Sequence, residues 1–306
     1  GVELNEVNVV SRRMGTMKLR SSVMNEEMIS SAELSRAACC NLGESFVTNP
    51  SVDVSYSDAA TGAKQIKLLG LSGTYVQMLT ENIPNYRGAA SPYGLGYVPG
   101  PWMQSIQVSK GISSVKNGYE AITGQINVEF KKPQLPEADC STNRYEANAD
   151  ATLKLSKRWS TSLLAHYENE TKAHDGNDDG FVDIPQVEQY NVWNRWAYMG
   201  DHYVFQAGFK ALSESRTSGQ AHHTDMQTGD LYKVGIDTER YEFFTKNAYI
   251  FNKEKNTNLA LILSASWHNQ DAMYGRKLYN VDQTNVYASL MFETEFNKQN
   301  SFSAGL

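Results

Sequence analysis

Residues 145–155 read Tyr145-Glu146-Ala147-Asn148-Ala149-Asp150-Ala151-Thr152-Leu153-Lys154-Leu155. Tyr145, Ala147, Ala149, Ala151, Leu153 and Leu155 share one face, and Glu146, Asn148, Asp150, Thr152 and Lys154 the other. Strict alternation over this length predicts a β-strand with one apolar face. The pattern recurs at 203–211, where Tyr203, Phe205, Ala207, Phe209 and Ala211 oppose Gln206 and Lys210. It recurs at 259–269, with Leu259, Leu261, Leu263, Ala265 and Trp267 against Ser264, Ser266 and His268. At 286–296, Val286, Ala288, Leu290, Phe292 and Phe296 oppose Ser289, Glu293 and Glu295. Segments 159–169, 190–199 and 241–251 follow the rule more loosely.

The connections between these strands sort by length. Short turns fall at Ser156-Lys157-Arg158, Gly200-Asp201-His202, 252–256 and 298–300, and long polar loops are expected at about 170–188, 213–238 and 270–284. Tight turns at one end and long loops at the other are the pattern of an outer-membrane β-barrel. A soluble β-sandwich, as in an adhesin or surface binding module, is the rival. The two differ in where the apolar face goes: toward lipid in a barrel, against a second sheet in a sandwich. A barrel wide enough to hold a folded domain needs about 22 strands, and this sequence supplies about eight, so the chain reads as a fragment of such a wall. An earlier strand is needed within 134–143, shortened by Pro136.

Composition sets limits. The chain has 306 residues, a formal charge of −6 and 41% hydrophobic content, enough for two domains. Its mild acidity gives no footprint for nucleic acid. The longest apolar run, Leu259-Ala260-Leu261-Ile262-Leu263, is far too short for a membrane helix, which needs about 18 residues. Aromatic content of 11%, with 17 Tyr and 5 Trp, suits interfacial girdles and equally a tyrosine-rich sandwich. Gly1 in place of a methionine implies a processed or cut chain. Three cysteines, Cys39, Cys40 and Cys140, leave free, bridged and metal-binding states open.

The first 130 residues have a different texture, punctuated by glycine. Asn41-Leu42-Gly43-Glu44-Ser45-Phe46 leads into Asn49-Pro50-Ser51-Val52-Asp53-Val54; a strand at 66–71 closes on Leu69-Gly70; a strand from 76 ends Glu81-Asn82-Ile83-Pro84. Lys110-Gly111-Ile112 precedes Gly118-Tyr119-Glu120-Ala121-Ile122-Thr123-Gly124-Gln125-Ile126-Asn127-Val128. In order and spacing these resemble the plug of TonB-dependent outer-membrane receptors, in a wording similar to Bacteroidetes-type members. Leu69-Gly70 and Lys110-Gly111 stand where that family has arginine-glycine, while Gly118, Ala121, Gly124 and Asn127 keep their places. Such glycines allow positive φ and close backbone approach.

The resemblance implies an α+β plug domain (11–133) inside an antiparallel transmembrane β-barrel (134–306), preceded by a TonB box at 1–10. The box residues would be Glu3, Leu4, Asn5, Glu6, Val7, Asn8, Val9 and Val10, an extended segment that pairs edge-on with a partner strand. It implies ligand-gated active import across the bacterial cell outer membrane rather than catalysis. The implied partners are the TonB–ExbB–ExbD complex, a small metal-chelate ligand, outer-membrane lipid and a surface lipoprotein. The cargo is expected to be a ferric siderophore or haem, with cobalamin, copper and an oligosaccharide as lesser alternatives. No resident cofactor is required. Mapped by motif, the apical plug loops are 55–63 and 85–97, carrying Tyr56, Asp58, Tyr86, Arg87, Tyr93 and Tyr97. Aromatic faces and one forked cation suit a flat or acidic chelate, and the same tyrosines equally suit filling the gap between plug and wall. Gly70, Gly111, Gly118 and Gly124 are the expected plug glycines.

Three clusters invite metal. Asp175, Asn177, Asp179 and Asp183, with Gly180, have calcium-loop spacing, but Gln186 replaces the closing glutamate. Cobalamin receptors resemble this in carrying a calcium-ordered outer loop. His222 and His223, beside Asp225 and Met226, have the chemistry for haem iron or copper, as a polar loop also would. Cys39-Cys40 with Met24 and Met28 offer soft ligands. Nucleophile-elbow, phosphate-loop and metalloprotease motifs are absent from the sequence.

Overall fold

The computed structural model describes residues 17–18, 25–37, 41–47, 49–71, 73–112, 120–132, 138–143, 146–170, 172–173, 175–221, 229–297 and 300–306. The expected TonB box, Gly118, His222, His223, Cys39 and Cys40 lie outside these residues.

The first unit is built on a six-stranded sheet. Its strands are β1 (Met17–Lys18), β2 (Asn25–Ser30), β5 (Val76–Thr80), β6 (Ile83–Pro84), β7 (Met103–Lys110) and β8 (Gly124–Phe130), in the order β1-β2-β7-β8-β5-β6. Only β5 and β8 run parallel. A short helix α1 (Ser31–Ala37) follows β2, and β3 (Val52–Asp58) pairs with β4 (Ala63–Leu68) in a separate hairpin. Strand β8 lies at the centre and is buried along its whole length. Its Ile126, Val128 and Phe130 join Ile106 and Val108 of β7 in the apolar core, while Asn127 bonds Gln107 and Glu129 on the opposite face. A Cβ on Gly124 would sit 2.2 Å from the Ser109 carbonyl oxygen, so the β7–β8 approach admits only glycine there. Gly111 enters the following turn at φ +91°.

The second unit is one continuous antiparallel sheet. Strands β9 (Ala138–Asn143), β10 (Glu146–Lys154), β11 (Trp159–Glu170), β12 (Gln186–Met199), β13 (Tyr203–Gly219), β14 (Lys233–Asn252), β15 (Thr257–Tyr274), β16 (Lys277–Asn297) and β17 (Asn300–Gly305) pair strictly in sequence order. The sheet therefore has nine strands where about eight were expected, the outermost two being six residues long.

Its two faces invert the rule for a protein in water. Leu163, Trp196, Phe209, Phe243, Leu263 and Trp267 are exposed, while Asn191, Arg195, Lys210, Arg240 and His268 are buried. The exposed rings form cross-strand ladders: Phe209, Tyr241 and Trp267 stack at 6.4 and 5.5 Å between centroids. An apolar exposed face with a charged buried one is the arrangement of a lipid-facing wall around a polar interior. Among the described residues no second sheet covers the apolar face, so the sandwich alternative fails.

The short turns at 156–158, 200–202 and 252–256 lie where the alternation places them, and residues 298–299 of the fourth lie outside the described residues; of the three expected long loops, one is lost and another is shortened. Strand β13 continues to Gly219 and β14 begins at Lys233, and β15 and β16 meet in a tight turn at Gly275-Arg276. A transmembrane strand needs only about 9–11 residues, so strands of 20 and 21 residues run on beyond the bilayer. There 213–219 and 277–284 carry polar residues on both faces, so the hydropathic alternation fades while the backbone ladder persists. Only the β11–β12 and β13–β14 connections remain long.

Candidate functional site: the plug–wall seam and the outer cleft

The first unit sits against the buried face of the wall, and its loops end in wall side chains. The β5–β6 turn decides the central contact. Glu81 and Asn82 both take positive φ, +57° and +61°, the conformation of a two-residue hairpin turn with right-handed strand twist. This aims the Glu81 carboxylate out of the sheet. Its Oε1 accepts a hydrogen bond from the Phe130 amide at 2.9 Å, and its Oε2 lies 2.8 Å from the Arg195 guanidinium, off the N–H axis. Lys246 adds a second cation at 3.7 Å and donates to the Glu81 carbonyl oxygen. Burial pushes the Glu81 carboxyl up, but Arg195 and Lys246 together outweigh it and hold the group below the usual carboxylate range.

Next along the chain, Asn85 bridges a wall ion pair. Arg240 donates to Glu242 at 2.7 Å and to the Asn85 side-chain oxygen at 2.6 Å, and Asn85 donates to Glu242 at 2.8 Å. Lys210 donates to the Tyr86 hydroxyl at 3.0 Å and the Tyr97 carbonyl at 2.8 Å. Asn191 reaches the same carbonyl at 3.0 Å. Burial raises the Tyr86 phenol well above its ordinary value, which keeps it neutral in this network. Gln283 clamps the 87–89 backbone, accepting from the Ala89 amide at 2.8 Å and donating to the Arg87 carbonyl at 3.2 Å. Apolar contact completes the seam where Phe130 meets Trp193 edge-on at 5.2 Å and Trp193 stacks on Phe244 at 5.5 Å.

Of the expected apical residues, Tyr86, Tyr93 and Tyr97 lie buried in this seam, the packing arrangement left open by the sequence. Arg87 pairs with Glu120 at 2.8 Å. Asp58 closes the β3–β4 tip, accepting from Thr61 Oγ1 at 2.7 Å and the Ala60 amide at 3.1 Å. Tyr56 is 60% exposed. The six therefore do not form one surface. Gly70 takes φ +79° with open space around it.

At the end of the wall that carries the long connections, a cleft of about 610 Å³ separates plug from wall. Tyr56, Lys64 and Tyr93 line it from the plug; Glu146, Glu168, Glu170, Gln189, Glu214 and Arg216 line it from the wall. Arg216 ties the two sides together, donating to the Thr61 carbonyl at 3.0 Å and to Glu214 at 3.0 Å. In the neighbouring acidic loop the carboxylates turn inward on the backbone: Asp175 accepts from the Gly180 amide at 2.8 Å, Asp179 from the Phe181 amide at 2.8 Å and Asp183 from the Gly176 amide at 2.6 Å. Among the described residues no three His, Cys, Asp or Glu side chains converge on a metal position.

The wall residues that make the seam were not singled out by sequence reading. Their signal is charge on one face of each strand, Lys210, Glu214 and Arg216 on β13 and Arg240 and Glu242 on β14, which looks the same whether that face meets water or a docked domain.

Residues 18–125 match the family described as TonB-dependent Receptor Plug Domain. The plug-like unit is thus similar to a TonB-dependent receptor plug, and here it packs against a nine-stranded antiparallel wall. Solved structures agree in fold. A receptor of Pseudomonas aeruginosa, FpvA bound to heterologous pyoverdines, aligns with a TM-score of 0.66 at 12% identity, over 94% of this chain and 42% of its own. The ferric-catecholate import receptor Fiu of E. coli K12 gives 0.60 at 15%, over 89% and 45%. The siderophore receptor PirA of Acinetobacter baumannii gives 0.58 at 14%, over 88% and 44%. The chain thus spans less than half the length of these receptors. No curated protein matches the chain.

Proposed function

We propose that the full protein imports an iron complex, a ferric siderophore or haem, across a bacterial outer membrane, drawing energy from a TonB–ExbB–ExbD complex. The observation that carries this reading is the chemistry of the seam. The plug is docked by separable polar contacts, Glu81 to Arg195, Asn85 to Arg240 and Tyr86 to Lys210, on a wall whose other face suits lipid. A structural core would be sealed by apolar packing; a plug that yields to a pull needs contacts that can be exchanged for water. Strand β2, the longer of the two strands nearest the N-terminus, is held to β7 by six register pairs and by Lys110, which donates to Glu27 at 2.8 Å and Ser51 at 2.7 Å. Tension on residues 1–16 would reach the two-residue β1 and then this strand. The iron cargo is supported by the receptors that share the fold, whose names state ferric-catecholate and siderophore binding.

Deleting residues 3–10 from the full receptor tests the reading. Uptake of radiolabelled ferric chelate should vanish in energised, iron-starved cells while surface binding of the same chelate persists. Unchanged uptake would contradict it.

A further inference from the structure

We propose that strand β2 and the outer tip of the β3–β4 hairpin act as one mechanical unit, pinned together by Lys110, so that neither loosens without the other. The proposal goes beyond the import reading and holds whatever cargo the full protein carries.

Three segments meet at one ammonium. Lys110, at the end of β7, donates to Glu27 of β2 at 2.8 Å and to the Ser51 hydroxyl at 2.7 Å. Ser51 in turn donates to the other carboxylate oxygen of Glu27 at 3.1 Å, which closes a triangle. Lys110 and Glu27 are mostly buried, and hydrogen bonds between ionised groups are about twice as strong as neutral ones. The triangle stands where a pull from the N-terminal side enters: Asn25, the first residue of β2, is the register partner of Lys110.

Ser51 is the residue immediately before β3. Strands β3 and β4 form a two-stranded sheet of their own, so among the described residues no backbone ladder joins the hairpin to β2, and the side-chain triangle makes that link. Val52, Ile66 and Leu68 seat the hairpin base in the apolar core, and six register pairs keep the hairpin stiff. Seven residues at about 3.3 Å each carry it roughly 20 Å to the 58–63 tip. There the Thr61 carbonyl accepts from Arg216 of the wall at 3.0 Å, at the edge of the outer cleft. A stiff element held by polar contacts at both ends passes a change at one end to the other, and the coupling is reciprocal.

Hydrogen exchange of the full receptor in bilayer nanodiscs reads both ends. Lys110→Met should lower protection of the β2 amides about ten-fold or more, and protection of the 58–63 tip should fall with it. Loss in β2 with an unchanged tip, or no loss in β2, would overturn the proposal. A double-mutant cycle isolates the coupling from the opposite end. Arg216→Gln frees the tip and should lower β2 protection about three-fold or more, while in a Ser51→Ala background it should change β2 no further. An equal effect in both backgrounds, or no effect of Arg216→Gln on β2, would overturn it. Gly62→Ala, whose added methyl would stand 2.7 Å from Pro185, presses on the tip without removing a charge and supports the same cycle should Arg216→Gln fail to fold. These measurements involve neither cargo nor TonB, so their failure leaves the uptake experiment above to decide the import reading by itself.

Discussion

Arg195 of β12 approaches Glu81 of the β5–β6 turn at 2.8 Å, both groups almost wholly buried. The pair joins plug to wall at a point where neither charge has water to fall back on. Removing one partner of such a pair typically costs about 3–5 kcal/mol, because the other is left buried and uncompensated. We expect Arg195→Ala to loosen the plug locally, read as faster hydrogen exchange across β5, β6 and β8 in the full receptor. The double variant Glu81→Gln, Arg195→Met should recover most of the protection. Equal protection in the wild type and Arg195→Ala would show that the pair does not anchor the plug.

The same pair sets a pH dependence. Glu81 has its carboxyl lowered in the folded state, so its contribution is present above the ordinary carboxylate value of 4.5 and disappears as pH falls through the lower folded value. Plug docking should therefore be flat from neutrality to about pH 5 and weaken only below about pH 4. Glu81→Gln should remove that acid limb. Limited proteolysis of the plug against pH measures it, and a loss between pH 7 and 6 would assign docking to another group.

Gly124 and Gly70 separate two uses of glycine. At Gly124 an added methyl meets the Ser109 carbonyl at 2.2 Å, so Gly124→Ala must push β7 from β8. A cost of roughly 2–4 kcal/mol is expected, read as lost hydrogen-exchange protection in those two strands. At Gly70 the space is open and only φ +79° resists, so Gly70→Ala should cost about 1 kcal/mol. Similar losses at both sites would mean that backbone conformation, not close approach, makes glycine necessary at 124.

The outward face carries its own prediction. Leu263 is exposed on β15, with Thr245 of β14 and Ala288 of β16 as its register partners. Leu263→Arg should destabilise the folded receptor by roughly 2–4 kcal/mol in a bilayer. On a water-facing sheet the same change would be nearly neutral. Denaturant titration in lipid vesicles distinguishes these outcomes.

Much of this fold is legible in the sequence, for two physical reasons. Strands with one lipid face must alternate, so β10, β13 and β15 announce themselves. A plug confined by a wall needs glycine at fixed places, so Gly111 and Gly124 mark its last strands. Two features escape. Past the bilayer, 213–219 and 277–284 stay paired although neither face needs to be apolar, so they resemble loops. The seam escapes too, because Arg240 or Glu242 at an inward position reads like any solvated charge until Asn85 is brought against it. Tyr86, Tyr93 and Tyr97 carry the chemistry of a ligand site and the chemistry of a seam alike, and only their burial places them in the seam.

Everything rests on the wall turning apolar side chains to lipid and charged ones to the plug. Nitroxide labels on single cysteines at Ala265, outward on β15, and at Gln270, inward on the same strand, measure this in the full receptor reconstituted into bilayers. The label at Ala265 should be relaxed by lipid-dissolved oxygen and shielded from a water-soluble nickel complex, and the label at Gln270 should be shielded from both while the plug is docked. A label at Ala265 that is open to nickel and closed to oxygen would contradict the account.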